Sequence, residues 1–249
     1  MNQWQLLVPA TFGVTDRLNV MLTAGAAHAS SDGHRSNDGA ITDTQLRAQY
    51  MWLAPDADGT RPAISVAYTH RFPTGAYDRL HTNPLNGMGD GASVNTLSLF
   101  TQKYFWLLND RPLRWRTSLS WSPAPSRVGL NGMSVYGTEA GFHGYAQLGR
   151  HIDVSTSLEY SIDRHWALSA DLAWDHAGQV HVLGLQPGTV QVEEIVRDTS
   201  HSSWVYSVAP AVQYNFTPDV GLIAGAQISF AGHANRAFVD PQVALNMTF

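Results

Sequence analysis

Alternating segments, connections of two lengths and aromatic residues in two bands predict one fold class: an all-β, antiparallel transmembrane β-barrel with about eleven visible strands. Read at period two, segment after segment of the 249-residue chain separates into an apolar face and a polar or small face. Tight turns alternate with long polar loops, the arrangement an outer-membrane barrel has at its two rims. Composition agrees. Only 14 % of residues are charged and 44 % are hydrophobic, against about 25 % charged in soluble domains. No stretch approaches the ~18 consecutive apolar residues of a membrane helix, so the apolar residues are dispersed, and alternation disperses them.

Each element follows from its own pattern. From Ile152 to Ile162, Ile152, Val154, Thr156, Leu158, Tyr160 and Ile162 oppose Asp153, Ser155, Ser157, Glu159 and Ser161. Trp166, Leu168, Ala170, Leu172 and Trp174 oppose a face carrying Asp171 and Asp175, and Leu113, Trp115, Leu119 and Trp121 oppose Arg114, Arg116 and three serines. Trp204, Tyr206, Val208, Val212, Tyr214 and Phe216 make a fourth such face. Less sharp segments cover roughly 3–14, 18–29, 43–54, 62–73, 93–108, 219–231 and 236–249. In 93–108 the phase is ambiguous, because Phe100, Tyr104 and Trp106 fall opposite Leu97, Leu99 and Phe105. These segments run to about 10–15 residues, longer than the 5–6 of soluble strands and suited to a tilted bilayer crossing. Thr15-Asp16-Arg17, Asn109-Asp110-Arg111-Pro112, Asp163-Arg164-His165 and Pro218-Asp219 read as tight turns, with 55–61 slightly longer. The long polar connections are 30–42, 75–92, 123–149 and 177–202. Six glycines between Gly129 and Gly149 give the third of these the freedom to fold over a barrel mouth.

Trp52, Trp106, Trp115, Trp166, Tyr214 and Phe216 lie near the short turns, and Trp121, Trp174, Trp204 and Phe230 near the opposite strand ends. Trp166 and Trp174 share a face eight residues apart, about 20 Å of depth in a tilted strand, close to the ~25 Å between aromatic girdles. Leu119, Leu158, Leu168 and Leu172 are then expected to face lipid. The end of the chain places Val243, Leu245, Met247 and Phe249 on one face. A terminal Phe on an alternating strand resembles the signal read by the outer-membrane assembly machinery. The expected partners are that machinery, the lipid bilayer with its lipopolysaccharide, and a small-molecule solute, in the outer membrane of a Gram-negative cell.

Several classes are disfavoured. The absence of cysteine removes disulfides and thiolate metal sites. A net charge of −5, one lysine (Lys103) and no basic cluster argue against nucleic acid. Met1-Asn2-Gln3-Trp4 has neither region of a signal peptide. Because bacterial barrels have even strand numbers with both termini in the periplasm, residues 1–249 are expected to be a single barrel domain whose natural precursor adds a signal peptide and one strand, twelve in all.

Phe12-Gly13-Val14-Thr15-Asp16-Arg17-Leu18, Thr69-His70-Arg71-Phe72-Pro73-Thr74-Gly75 and the run from Asp163 to Asp171 resemble segments of the outer-membrane "transporter" barrels of the MetA-pathway-of-phenol-degradation family. The resemblance covers most of the chain. It implies a twelve-stranded barrel that passes small, often hydrophobic or aromatic, molecules, without naming phenol as the solute.

A barrel this narrow fills its interior with side chains. The inward set includes Arg47, Arg71, Arg114, Arg116, Asp153, Glu159, Asp171 and Asp175. These either line a constriction that selects solutes by charge or form interior ion pairs that rigidify it, and the second reading is the weightier. One enzymatic alternative exists. His34-Arg35-Ser36-Asn37-Asp38-Gly39 resembles the His-x-Ser-Asn stretch of outer-membrane phospholipases and deacylases, in which a histidine activates a serine. The stretch lies in a glycine-rich polar tract rather than on a lipid-facing strand, so a non-enzymatic barrel is expected. A third alternative is a structural or adhesion barrel whose loops bind partners. The eleven histidines scatter near the long loops without ligand spacing, so no metal is expected. Asn86–Gly91 lacks the lysine and helix of a phosphate cradle, and no cofactor is expected.

Overall fold

A computed structural model describes residues 2–31, 33–37, 39–187 and 193–248. Eleven long strands form one continuous antiparallel wall: β1 (Asn2–Gly13), β2 (Leu18–Ser31), β5 (Thr44–Leu53), β6 (Ala63–Phe72), β7 (Val94–Trp106), β8 (Pro112–Ser122), β11 (His151–Ser161), β12 (Trp166–Ala177), β15 (Ser203–Asn215), β16 (Val220–His233) and β17 (Val239–Met247), each paired with the next. All eleven expected segments are present, with ends displaced by at most a few residues. Two short strands, β3 (His34–Arg35) and β4 (Ala40–Ile41), extend β2 at one rim. No helix among the described residues is long and apolar enough to cross a membrane.

The tight turns are held by side-chain oxygens. Thr15 Oγ1 accepts from the Arg17 and Leu18 amides at 3.2 and 3.0 Å. Asp163 Oδ1 accepts from those of His165 and Trp166 at 2.7 and 2.8 Å. Thr217 Oγ1 accepts from those of Asp219 and Val220 at 3.2 and 3.0 Å. Short polar side chains that bond the backbone two or three residues on are what make these sequences turn.

The two faces differ as the alternation requires. Outward, Leu22, Leu46, Val66, Leu97, Leu119, Leu158, Leu168 and Leu172 are exposed. Inward, Ala63, Ser65, Ala67, Ser157, Ala167 and Ser207 are buried. Register settles the phase of β7: Ser98, Phe100, Gln102 and Tyr104 oppose Ser120, Ser118, Arg116 and Arg114 and so face inward, while Leu97, Leu99 and Phe105 face outward. The wall is rolled, because residues of β5 and β12, five positions apart in the strand order, line one cavity. It is not closed. Among the described residues β1 pairs only with β2 and β17 only with β16.

The long connections depart from expectation. Rather than remaining polar loops, 123–149 and 177–202 supply β9 (Val128–Asn131), β10 (His143–Gln147), β13 (His181–Pro187) and β14 (Glu193–Thr199), a second sheet in the order β14-β13-β10-β9. This cap has its own core, in which Leu130, Phe142, Ala146 and Val182 are buried with Val128 and Ala92. Gly144 and Gly184 face each other across β10 and β13. A Cβ on Gly184 would sit 2.4 Å from the Phe142 ring, so the glycine pair makes the space the ring occupies. The apolar residues are few and interspersed with glycine, which is why the sequence read as loop.

Candidate functional site

The inner face carries two groups of charged side chains at different heights. All eight candidate lumen residues lie on it. Toward the short turns, Arg114 and Glu159 are direct cross-strand partners, and so are Arg116 and Ser157. Glu159 forms ion pairs with both arginines, in close contact with Arg114 and at 3.5 Å from Arg116. Arg116 also donates to Ser157 Oγ at 3.2 Å. Asp171 stands opposite Ser157 on the other side of β11. Arg47 donates to Gln49 Oε1 at 2.7 Å and holds its guanidinium 5.0 Å from the centroid of Phe100. It has no carboxylate partner among the described residues.

Toward the long loops the balance reverses. His151 Nε2 meets Asp175 Oδ2 at 2.8 Å, with Asp153 directly across from Asp175. Arg71 reaches from β6 to an ion pair with Asp90 in the 75–92 connection. That connection turns inward: Met88 is buried against Ala27 and Ala29, on the inner face of β2. Asp43 ties it down, accepting from the amides of Gly75 at 2.9 Å and Asp90 at 3.2 Å. The Tyr136 hydroxyl of the cap connection donates to the Asp90 carbonyl. Burial pushes the Asp90 carboxyl upward, with Arg71 opposing the shift, and burial together with Asp90 raises the Tyr136 phenol. Tyr77, Val94 and Tyr136 pack on the cap core, so the 75–92 segment is fastened to the wall on one side and the cap on the other.

Two cavities open on the inner face. One, of about 450 Å³, lies among Arg114, Glu159, Gln213, Gln227 and Asn246. The other, of about 400 Å³, lies among Arg47, Gln49, Met51, Phe100 and Ser155. Arg116 and Asp171 belong to both and stand between them.

The aromatics form two outward groups. Beside the short turns Trp166 packs tilted on Tyr214 and Tyr214 edge to face on Phe216, with centroids 4.6 and 5.0 Å apart. Trp204, Tyr206 and Phe230 follow at the other rim, 5.7 and 6.2 Å apart, near Trp174. Trp52, Trp115 and Trp121 are exposed on the outward face. Trp106 departs from the expected girdle. Register places it with Arg114 and Gln102 on the inward side, and its indole donates to the Asp58 carbonyl at 2.9 Å. Phe249, the candidate assembly signal, lies outside the described residues.

The His34 and Ser36 pairing is corrected by the geometry. Ser36 is buried, its hydroxyl accepts from the Ala29 amide at 2.9 Å, and it meets His28 Nδ1 at 3.2 Å. His34 is exposed and opposes Ser31 in the β2–β3 ladder. Ser36 is thus enclosed in the turn, and the histidine its hydroxyl meets is His28, not His34. Sequence reasoning missed Phe100, Gln49, Asp43, Asp90 and Tyr136. Only the ambiguous phase of 93–108 hinted at the first.

These features define an all-β antiparallel wall with outward apolar residues and inward charged ones. Among solved structures, the chain is similar to the COG4313 outer membrane channel from Pseudomonas putida F1, with a TM-score of 0.56 and 13 % sequence identity over 98 % of this chain and 80 % of that one. At that identity the likeness shows the fold. No protein-family profile matches the chain, so the resemblance to the phenol-degradation barrels is not confirmed, and no curated protein matches it either.

Proposed function

We propose that this chain is an outer-membrane β-barrel of a Gram-negative cell that passes small molecules along its inner face. The observation that carries the reading is the pair of cavities on that face, lined by side chains from strands far apart in the wall and separated by Arg116 and Asp171. An outward surface of exposed leucine, valine and aromatic residues supports residence in lipid, and the solved neighbour is described as an outer membrane channel. Phe100 and Met51 beside one cavity supply an apolar contact for hydrophobic or aromatic solutes. The eight inward charges serve as the lining, and passage needs neither a cofactor nor a catalytic group.

The test is solute flux. Folded protein in liposomes should release an entrapped small solute faster than protein-free vesicles, and should give discrete conductance steps in a planar bilayer. Full insertion, shown by heat-modifiable migration, with neither flux nor conductance would replace the reading with a non-transporting barrel.

A further inference from the structure

We propose that the cavity beside Arg47 and Arg116 is a binding subsite for small organic monocarboxylates; the assignment rests on reading the inner face as a solute path. Charge is the first argument. Among the residues that line the two cavities, three guanidinium groups, from Arg47, Arg114 and Arg116, meet two carboxylates, from Glu159 and Asp171. Glu159 is engaged by Arg114 and Arg116, whereas among the described residues Arg47 is held by the Gln49 amide and the Phe100 ring and by no carboxylate. One positive charge is left over, and a single anion neutralises it. The Arg116 side chain keeps 41 % of its surface accessible, so a solute can reach it.

Shape and lining are the second argument. The cavity holds about 400 Å³, ample beside the ~150 Å³ that accommodates benzene. Ser65, Ser157 and one of the pair Ser118 and Ser155, which bond each other at 2.7 Å, offer hydroxyl donors, and Phe100 and Met51 offer an apolar wall. Two arginines with hydroxyls suit a carboxylate, since planar guanidinium donors match its two oxygens. An aromatic or aliphatic body would lie against Phe100 and Met51. Asp171 at the border of the cavity disfavours a second negative charge, which selects mono- over dicarboxylates.

Calorimetric titration of the detergent-folded protein with benzoate, and with neutral benzamide of the same shape, tests the assignment. Benzoate should bind saturably. Benzamide should bind about tenfold more weakly or worse, the equivalent of one charge-assisted hydrogen bond. Arg47→Gln and Arg116→Gln should each weaken benzoate by a similar factor, while Arg164→Gln in an exposed turn should not. If either glutamine variant fails to fold, the benzoate-to-benzamide ratio of the unaltered protein decides. Equal binding of the two probes, no binding of benzoate, or folded Arg47→Gln and Arg116→Gln proteins that bind as the parent does would overturn the subsite. Saturable, arginine-dependent binding in a protein that shows no flux would leave the subsite standing and sink the channel reading instead.

Discussion

Glu159 carries a disproportionate share of the inner-face electrostatics, because one carboxylate satisfies two guanidinium groups on the neighbouring strand. Removing its charge leaves Arg114 and Arg116 side by side on one face of β8 without a counterion. Such a change costs 3–5 kcal/mol where the pair is fully buried and well under 1 kcal/mol at an open surface. Glu159 is 15 % exposed and its partners are more so, so Glu159→Gln is expected to cost on the order of 1–3 kcal/mol, read from urea unfolding in lipid vesicles. Loss no greater than that of a surface control such as Asp219→Asn would show that the pair is solvated. On the other face, Leu168→Arg or Leu172→Arg sets a guanidinium into hydrocarbon and should cost about 2–4 kcal/mol at mid-depth. Ser120→Arg, pointing inward toward Ser98, should cost less by the same assay, and equal losses would refute the assignment of faces. Ser157 is a poor inward control despite its phase, since it is buried and already receives Arg116. The outward leucines and inward charges were legible from alternation alone. The Arg47–Phe100 contact was not, because β7 is apolar on both faces and only its register against β8 tells which residues turn inward.

At the scale of elements, long strands and tight turns were legible for the same reason: a strand of ten or more residues repeats its alternation often enough to be unmistakable, and its turns are marked by Thr, Asp or Asn. The cap was not legible. Its strands span four to seven residues, too few for a period, and its centre depends on Phe142 fitting over Gly144 and Gly184, a contact between distant segments. Phe142→Ala should therefore loosen the cap while sparing the wall. Truncating a buried Phe costs about 3–5 kcal/mol, and that loss should fall on amide exchange in β10 and β13, leaving β11 and β12 protected. Uniform loss of protection across the wall would mean that cap and wall unfold as one unit. The turn between β11 and β12 makes a separate prediction. Amides of Trp166 and His165 hold the Asp163 carboxyl below its usual range. A carboxyl lowered in the folded state adds stability above its unfolded value, and that contribution disappears as pH falls through the lower folded one. Asp163→Asn should accordingly be less stable than the parent at neutral pH, with the difference in unfolding midpoint fading below about pH 4. A difference independent of pH would assign the turn to the hydrogen bonds alone, irrespective of charge.

The whole molecule is arranged like a soluble protein turned inside out, with its large apolar side chains exposed and its small and charged ones enclosed. That arrangement is stable only if hydrocarbon covers the outer wall. Hydrocarbon also penalises every unpaired backbone group at the edges of β1 and β17, by several kcal/mol each, so in a bilayer both edges must find strand partners. The tryptophans can report whether the wall lies in lipid and at what depth, since each face and height carries its own. Trp166 and Trp174 share the outward face of β12 near opposite rims, and Ala170 lies midway between them on that face. Single-tryptophan proteins reconstituted with brominated lipids should show a depth pattern. Trp166 alone and Trp174 alone should be quenched most by bromines near the headgroups, and an Ala170→Trp protein lacking all other tryptophans most by bromines deep in the chains. Trp106 alone should be weakly quenched by either, because it sits on the inward side of β7 with its indole bonded to Asp58. Quenching of Trp106 as strong as that of Trp166 would place the wrong face of the wall in lipid. Equal quenching at all depths would remove the bilayer from the account, and with it the route along the inner face.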